Sequence, residues 1–303
     1  MIKSSVLRDV GGYDEQFKCQ DGYDIWLKIV GNYKIKNINE PLFYYRQHQN
    51  SLSKNEEEIL KTRAQIKAKQ VISRMIPEKS TIAVIPIRGA NNDNNLLCFE
   101  DLGDKKIIDW TIIAALESEN IKNVIITTND KKIKQYVHNN YGNKILVYER
   151  SNLSNQRNSS AEMVVLETIN KFQKEHYAPD YTMVLFINYP FRSTLYLDKA
   201  INTMKLFNVD AVDSVRSDDS LYYRHDGKGL KFLKEKKILR VERDELYKRC
   251  GGLHLLNTEK FLHNKSFFSG DVGHIIIDQK SSLPINSRLD LQILKLIAEK
   301  YSH

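Results

Sequence analysis

The sequence has no long apolar segment. None of its apolar runs approaches the roughly 18 residues that a membrane-spanning helix needs, and its first six residues lack the apolar core of a signal peptide. We therefore expect a cytoplasmic protein without a membrane span. Apolar residues make up 41% of the 303 residues, which is enough for one substantial domain and a smaller unit.

Cysteine is also scarce. The chain has 3 cysteines, Cys19, Cys98 and Cys250, which are widely spaced and include no Cys-x-x-Cys pair. An odd number of separated cysteines argues against both a disulfide framework and a zinc site. We expect all three to be reduced, buried thiols.

A basic recognition motif is missing as well, although the net charge is +8. Lysine and arginine are scattered, and the densest group, from Lys228 to Lys237, is not part of an aromatic-plus-basic pattern typical of nucleic-acid binding. The sequence therefore disfavours nucleic acid as a partner. The positive charge also suits anionic sugar nucleotides.

What the chain does contain, from Thr81 onward, is an alternation of apolar strands with amphipathic helices. This pattern predicts βαβ units and a mainly parallel sheet. The charged stretch before it begins with acidic residues, continues with basic ones and has no Gly or Pro until Pro77, which predicts a linker helix between two domains. We predict strands at 81–87, 122–127, 144–148, 181–187, 211–215 and 252–256, helices at 106–118, 130–140, 159–175, 195–207 and 288–301, and a hairpin or arm within 221–240.

The first of these strands runs into a loop that contains Gly89. A strand, a glycine-containing turn and a helix form a phosphate cradle, because backbone N–H groups at the turn and at the helix start attract anions. Arg88, Gly89, Ala90 and Asn91 are therefore candidate nucleotide contacts. However, the loop contains no Lys or Arg after Arg88, so little positive charge is available to hold a triphosphate.

Residues 80–303 resemble the acylneuraminate cytidylyltransferases, which join CMP from CTP to an acidic sugar. The resemblance implies a Rossmann-like three-layer α/β nucleotidyltransferase (GT-A-like) fold and a homodimer, with Tyr222 and Tyr223 on the arm as dimer contacts. It rests on seven segments in order: 85–89, 127–130, 149–154, 185–192, 210–215, 249–255 and 283–291.

The resemblance also implies roles for particular residues. Arg88, Arg150 and Arg192 match positions at the family's nucleotide site, whereas the Gln that reads the acidic sugar falls on Phe186. In the first loop, the family's Ser–Lys pair falls on Asn91–Asn92 and its Arg-Lys-Asn on Leu96–Cys98.

The family's metal site is altered too. The Asp-Ile-Asp that binds Mg²⁺ falls on Pro284-Ile285-Asn286, so Asn286 remains as a degenerate ligand, through its amide oxygen. An uncharged amide holds a hard divalent ion weakly. Mg²⁺ is therefore expected as a cofactor only if the domain is active.

Residues 1–53 resemble the closing third of a family-two inverting glycosyltransferase, on 10–17, 20–28 and 41–53. The resemblance implies that Asp21, before the Trp26 helix, is the general base, and that Arg46 and His48 close over the donor diphosphate. The donor-binding half of that family would precede Met1, so we expect an incomplete module with exposed apolar surface and hence a partner chain or self-association.

We therefore predict three regions: a glycosyltransferase-like fragment at 1–53, a helical linker at 54–79 and a cytidylyltransferase-like domain at 80–303. The fragment is expected to be small and α+β. Three functions remain open for this diverged CMP-sugar-synthetase-like protein of surface-glycan assembly: a nucleotidyltransferase for an acidic sugar, a non-catalytic binding or scaffold module that partners a glycosyltransferase, and one half of a split glycosyltransferase.

Overall fold

The computed structural model describes residues 1–36, 38, 40, 42, 55–88, 97–151, 159–218, 220–232 and 246–301. Its main body is one twisted sheet between two layers of helices. The helices are α1 (Ser4–Asp9), α2 (Asp21–Ile29), α3 (Glu56–Ser73), α4 (Ile107–Leu116), α5 (Lys131–Tyr141), α6 (Ala161–Glu175), α7 (Thr194–Phe207), α8 (Thr258–Asn264) and α9 (Arg288–Tyr301). The strands are β1 (Thr81–Pro86), β2 (Asp101–Leu102), β3 (Lys105–Lys106), β4 (Ile121–Thr127), β5 (Ile145–Tyr148), β6 (Tyr181–Leu185), β7 (Ala211–Asp218), β8 (Tyr223–His225), β9 (Leu230–Phe232), β10 (Leu246–Asn257) and β11 (Val272–Ile276).

The main sheet has seven strands in the order β11-β7-β10-β6-β1-β4-β5. Neighbours are parallel except at β10, which runs antiparallel to both β6 and β7. The predicted α/β class with a mainly parallel sheet is confirmed. The sequence pattern did not predict the reversed direction of β10, and it missed β11, because this edge strand offers only a short apolar run with a glycine inside it.

Two apolar layers hold the sheet, one on each face. On β1, Ala83 and Ile85 belong to the layer under α4, α5 and α7, whereas Ile82 and Val84 belong to the layer under α6 and α8. Successive side chains of a strand point to opposite faces, and all four are fully buried. This double burial explains why β1 reads as a continuous apolar run rather than an alternating one.

The predicted linker helix is part of the packed body. Asn55 caps α3 by accepting a hydrogen bond from the Glu58 N–H, and acidic residues fill its first turn. One of its lysines, Lys67, donates to Thr203 Oγ1 on α7 at 2.6 Å, so α3 lies on the outside of α7. Its other side holds α2, through the hydrogen bond from Gln70 to Asp24.

The described part of the N-terminal region contains α1 and α2 but no strand, so the expected α+β character is not seen there. Arg46 and His48 lie outside the described residues.

The arm predicted within 221–240 includes the antiparallel pair β8–β9, and Tyr222 and Tyr223 are exposed at its start. No helix in the described ranges is long and apolar enough to cross a membrane.

Candidate nucleotide site

A cleft of about 570 Å³ opens where β1 and β6 end. The carboxyl ends of parallel strands meet the amino ends of the following helices there, and this edge is where α/β sheets bind ligands. Ile107 at the start of α4 and Ala161 at the start of α6 both line the cleft. The positive end of the helix dipole at these two helix starts favours an anion.

Arg88 lies on the rim of this cleft, two residues beyond β1. Its side chain is exposed, and its Nη2 donates to the carbonyl oxygen of Ser159 at 2.7 Å, just before α6. The contact aims the guanidinium toward the helix start that faces the cleft. Gly89, Ala90 and Asn91, which were predicted to continue the phosphate loop, lie outside the described residues.

Arg150 also lines the cleft but is only 8% exposed. Its Nε and Nη2 donate to the carbonyl oxygen of Thr127 at 3.3 and 3.1 Å, at the end of β4. Burial, together with the positive charge of Arg88, lowers the pKa of Arg150 to about 10. The side chain therefore joins two loops and adds positive charge behind the cleft wall.

Arg192 is placed elsewhere. It is 3% exposed and does not line the cleft. Its Nη1 donates to the carbonyl oxygens of Gly251 at 2.7 Å and Gly252 at 3.0 Å, and its Nη2 donates to Thr111. In this structure Arg192 links β10, α4 and the turn after β6, and its predicted contact with a nucleotide has no geometric support.

Asn286 lies at the cleft and is exposed. Its Oδ1 accepts a long hydrogen bond of 3.5 Å from Asn188 Nδ2, and its N–H donates to Asp290 Oδ2 at 3.0 Å. This hydrogen bond lowers the pKa of Asp290. Asp290 therefore fixes the turn into α9 rather than facing the cleft.

This donor set does not fit Mg²⁺. The oxygen ligands offered by the described lining side chains are the amides of Asn188 and Asn286, and no described lining residue is a carboxylate. Among the described residues, no three His, Cys, Asp or Glu side chains are grouped to hold a metal. Hard divalent cations need charged oxygen ligands to bind tightly, so the described lining offers Mg²⁺ only weak ligands.

The floor of the cleft carries Phe186 at the end of β6. Its ring packs edge-on against His254 at 6.0 Å, and His254 is 1% exposed with its Nδ1 2.5 Å from Asp213 Oδ1. A phenyl ring cannot hydrogen-bond a sugar as an amide would. Asn188 is the neighbouring polar group on the same floor, and the sequence pattern did not single it out.

Asp21, the predicted glycosyltransferase-type base, is exposed at the first residue of α2. Its Oδ1 accepts a hydrogen bond from the Gly22 N–H at 2.9 Å. It does not line the cleft of the C-terminal domain. A catalytic role for Asp21 stays a prediction.

Comparison with known proteins finds relatives among the cytidylyltransferases. Residues 98–184 match the family model described as Cytidylyltransferase. N-acylneuraminate cytidylyltransferase of Escherichia coli O18:K1:H7 is 27% identical over 230 residues, which cover 72% of this chain and 52% of that protein. CMP-N,N'-diacetyllegionaminic acid synthase of Legionella pneumophila is 24% identical over 72% of this chain and 96% of its own length.

The C-terminal domain is similar to the cytidylyltransferases of the CMP-sialic acid synthetase family, at low sequence identity. This chain spans about half the length of the E. coli relative. The solved structure of a CMP:2-keto-3-deoxy-manno-octonic acid synthetase complexed with CTP has the same fold, with a TM-score of 0.56 at 13% identity, over 73% of this chain and 99% of that one. The Rossmann-like fold expected from the sequence is thus confirmed.

Proposed function

We propose that this CMP-sialic acid synthetase family member is a diverged protein of surface-glycan assembly that binds a cytidine nucleotide with little or no cytidylyl transfer. One observation carries the proposal: the described cleft lining includes two arginines and two helix starts but no carboxylate. The arrangement favours an anion and offers no site for tight Mg²⁺ binding. We place the protein in the cytoplasm, where nucleotides are available.

The residues of the cleft have separable tasks in this proposal. The exposed guanidinium of Arg88 binds the phosphates, because a charge-assisted hydrogen bond from arginine suits a phosphate oxygen. Arg150 holds the ends of two strands and adds charge behind them. Asn188 and Asn286 donate or accept hydrogen bonds beside Phe186, where an acidic sugar of the kind named for the relatives would lie.

The competing proposal is an active CTP-dependent nucleotidyltransferase, and the position of Arg88 at the strand end favours it. Attack of a sugar hydroxyl on the α-phosphorus needs the developing negative charge to be neutralised. The described cleft supplies that charge only through arginine. A homodimer through the exposed arm, or a glycosyltransferase partner for the N-terminal unit, is compatible with both proposals.

A calorimetric titration with CTP separates the two. We expect wild-type protein to bind CTP in a range around 0.1–1 mM, with less than about a threefold change on adding Mg²⁺. Arg88→Ala is expected to weaken binding roughly tenfold through loss of a charged hydrogen bond. The matched control is Arg224→Ala, an exposed arginine on β8 that does not line the cleft.

Two results would contradict this proposal. Mg²⁺-dependent CTP binding with release of pyrophosphate in the presence of an acidic nine-carbon sugar establishes the active enzyme instead. Equal loss of affinity in Arg88→Ala and Arg224→Ala shows that binding reflects general surface charge rather than the cleft.

A second prediction concerns the altered metal site. The double variant Pro284→Asp, Asn286→Asp introduces one carboxylate on the cleft wall and a second two residues before it, and we expect Mg²⁺ to strengthen CTP binding by roughly tenfold in this variant. The measurement is the same titration at several Mg²⁺ concentrations. The double variant Leu289→Asp, Leu296→Asp is the charge-matched control, since both leucines are exposed on α9 outside the cleft. An equal Mg²⁺ effect in both variants rules out a restored site.

A further inference from the structure

A second cavity, of about 360 Å³, lies between the N-terminal unit and the C-terminal domain. We call it the lysine pocket. It shares no lining residue with the nucleotide cleft. Its walls come from α2, α3, α7 and β11, and its size is within the range of small-molecule sites. The aromatic and positively charged side chains that line it include Tyr23, Trp26, Arg63, Lys67, Lys199 and Phe207.

Both lysines that line the pocket are buried. Lys67 is 5% exposed and Lys199 is 3% exposed. Each ammonium group has three N–H donors, but within the described part of the chain each makes one hydrogen bond: Lys67 to Thr203 Oγ1 at 2.6 Å and Lys199 to the Ile276 carbonyl oxygen at 2.9 Å. Lysine is rarely buried unless it is paired. The remaining donors have room for an acceptor in the cavity.

The charges around the pocket have one sign. Arg63 is the third cation of the lining, and the described lining contains no carboxylate. Burial, followed by the positive charges of Lys67 and Arg63, lowers the pKa of Lys199 to about 7, and burial followed by Arg63 lowers that of Lys67 to about 8. Three neighbouring cations without a counter-charge are destabilising unless an anion binds among them.

The opposite wall is aromatic. Tyr23 and Trp26 stack with ring centroids 5.9 Å apart, and Trp26 packs against Phe207 at 6.1 Å. Trp26 remains 39% exposed. An exposed indole face next to buried cations suits a ligand that combines a ring with a negative charge, because the ring stacks while the anion pairs.

We propose that the lysine pocket is a second ligand site, which binds an anionic sugar or nucleotide with its phosphate or carboxylate between Lys67 and Lys199 and its ring against Trp26. The site requires all three parts of the chain, since α2, α3 and α7 each supply a wall. It therefore gives the packing of the N-terminal unit on the C-terminal domain a binding role. The proposal does not depend on nucleotide binding in the cleft.

Tryptophan fluorescence can test the site, because the chain has only 2 tryptophans. The other one, Trp110, packs against Phe191 and donates to the Leu102 carbonyl oxygen, away from this pocket. In a protein that carries Trp110→Phe and Arg88→Ala, the fluorescence emission comes from Trp26 alone, and ligand binding in the nucleotide cleft is weakened. The probes are inorganic phosphate, CMP and N-acetylneuraminate, added at about pH 6.5, where Lys199 is largely protonated.

We expect CMP or N-acetylneuraminate to change the emission saturably and to bind more tightly than inorganic phosphate. Lys67→Met and Lys199→Met should each weaken that binding at least tenfold, since a buried charged contact is lost. Lys205→Met is the matched control: it is on the same helix as Lys199, but it reaches Asn120 at 3.4 Å and does not line the pocket. The uncharged compounds cytidine and N-acetylmannosamine should not bind.

The proposal is overturned if none of the three probes binds at millimolar concentration, or if Lys205→Met weakens binding as much as Lys199→Met. If inorganic phosphate binds as tightly as CMP and N-acetylneuraminate, the ring adds no affinity and the proposed role of Trp26 is wrong. Circular dichroism establishes that each variant is folded, and Lys199→Gln serves if Lys199→Met does not fold. Because the background already carries Arg88→Ala, loss of this site is distinguishable from loss of the cleft.

Discussion

Replacing Arg192 by alanine is expected to destabilise the protein by about 3–5 kcal/mol, which lowers its melting temperature by roughly 10 °C. The guanidinium is buried, and it donates to the carbonyl oxygens of Gly251 and Gly252 in β10 and to Thr111. Removing it takes a donor from each of these acceptors, of which Gly252 keeps the Phe186 N–H, and opens a cavity. Thermal and urea unfolding followed by circular dichroism measure the effect.

The backbone of β10 at Gly251 and Gly252 makes the arginine hard to replace. Gly251 and Gly252 have φ angles of +76° and +56°, in the left-handed region that glycine adopts most readily. A Cβ on Gly252 would lie 2.5 Å from Tyr189 Cδ2, and one on Gly251 would lie 2.5 Å from Ile277 Cδ1. The register of β10 against β7 shifts at these glycines, and Arg192 donates to both of their carbonyl oxygens, while the Gly252 oxygen also accepts from the Phe186 N–H.

Arg88→Ala is the matched control for this prediction, since Arg88 is an exposed arginine that donates to the Ser159 carbonyl oxygen at the cleft. We expect it to change stability by less than about 1 kcal/mol. If Arg192→Ala has the same melting temperature as the wild type, the hydrogen bonds of Arg192 do not stabilise the fold. Loss of CTP binding by a fully stable Arg192→Ala protein would instead favour the nucleotide contact implied by the family resemblance.

The second large effect is a dependence of stability on pH. We expect the free energy of unfolding to rise between about pH 7 and pH 8.5, with Lys199 contributing on the order of 1–2 kcal/mol. The pKa of Lys199 is about 7 in the folded protein, against the ordinary lysine value of 10.5. Between these values the unfolded chain binds the proton and the folded protein does not, so stability rises with pH.

Other titratable groups change the size of this rise in stability with pH but do not reverse it. Lys67, with a pKa of about 8, acts in the same direction, and burial raises the pKa of Tyr23 to about 12, above the pH window. Arg63 and His274 also face Lys199 across the cavity. The buried thiols Cys98 and Cys250 have raised pKa values and oppose the rise only near and above pH 9.

The measurement is chemical unfolding of wild-type and Lys199→Met proteins across the window, with Lys205→Met as the control on the same helix. Lys199→Met should show a smaller rise, and it should be as stable as the wild type or more so at pH 7, because it removes a buried charge. Parallel curves for the wild type and Lys199→Met would show that Lys199 does not titrate in this range. An anion bound in the pocket should reduce the rise, because it raises the pKa of Lys199.

Local patterning accounts for most of the architecture. The apolar runs at 81–87 and 181–187 and the helices at 130–140 and 288–301 lie within two residues of the observed elements, because strand and helix periodicities are local properties of a sequence. The positions of Arg88 and Phe186 at one cleft also follow, since the ends of parallel strands meet at one edge, whereas Asn286 was placed there by the family resemblance.

The sequence pattern could not predict which charged side chains are buried, because that depends on how the chain packs in three dimensions. Nothing local distinguishes Arg192 in the core from Arg88 at the rim, and Lys67 and Lys199 are ordinary members of amphipathic helices until α3 packs on α7. Desolvation depends on what distant segments cover a group, and so does the partner it finds. Patterning therefore predicted the α/β class and the family resemblance indicated a nucleotide-binding fold. Long-range packing decided which cations are buried, which of them face a cavity, and that the helix at 56–73 is a wall of that cavity.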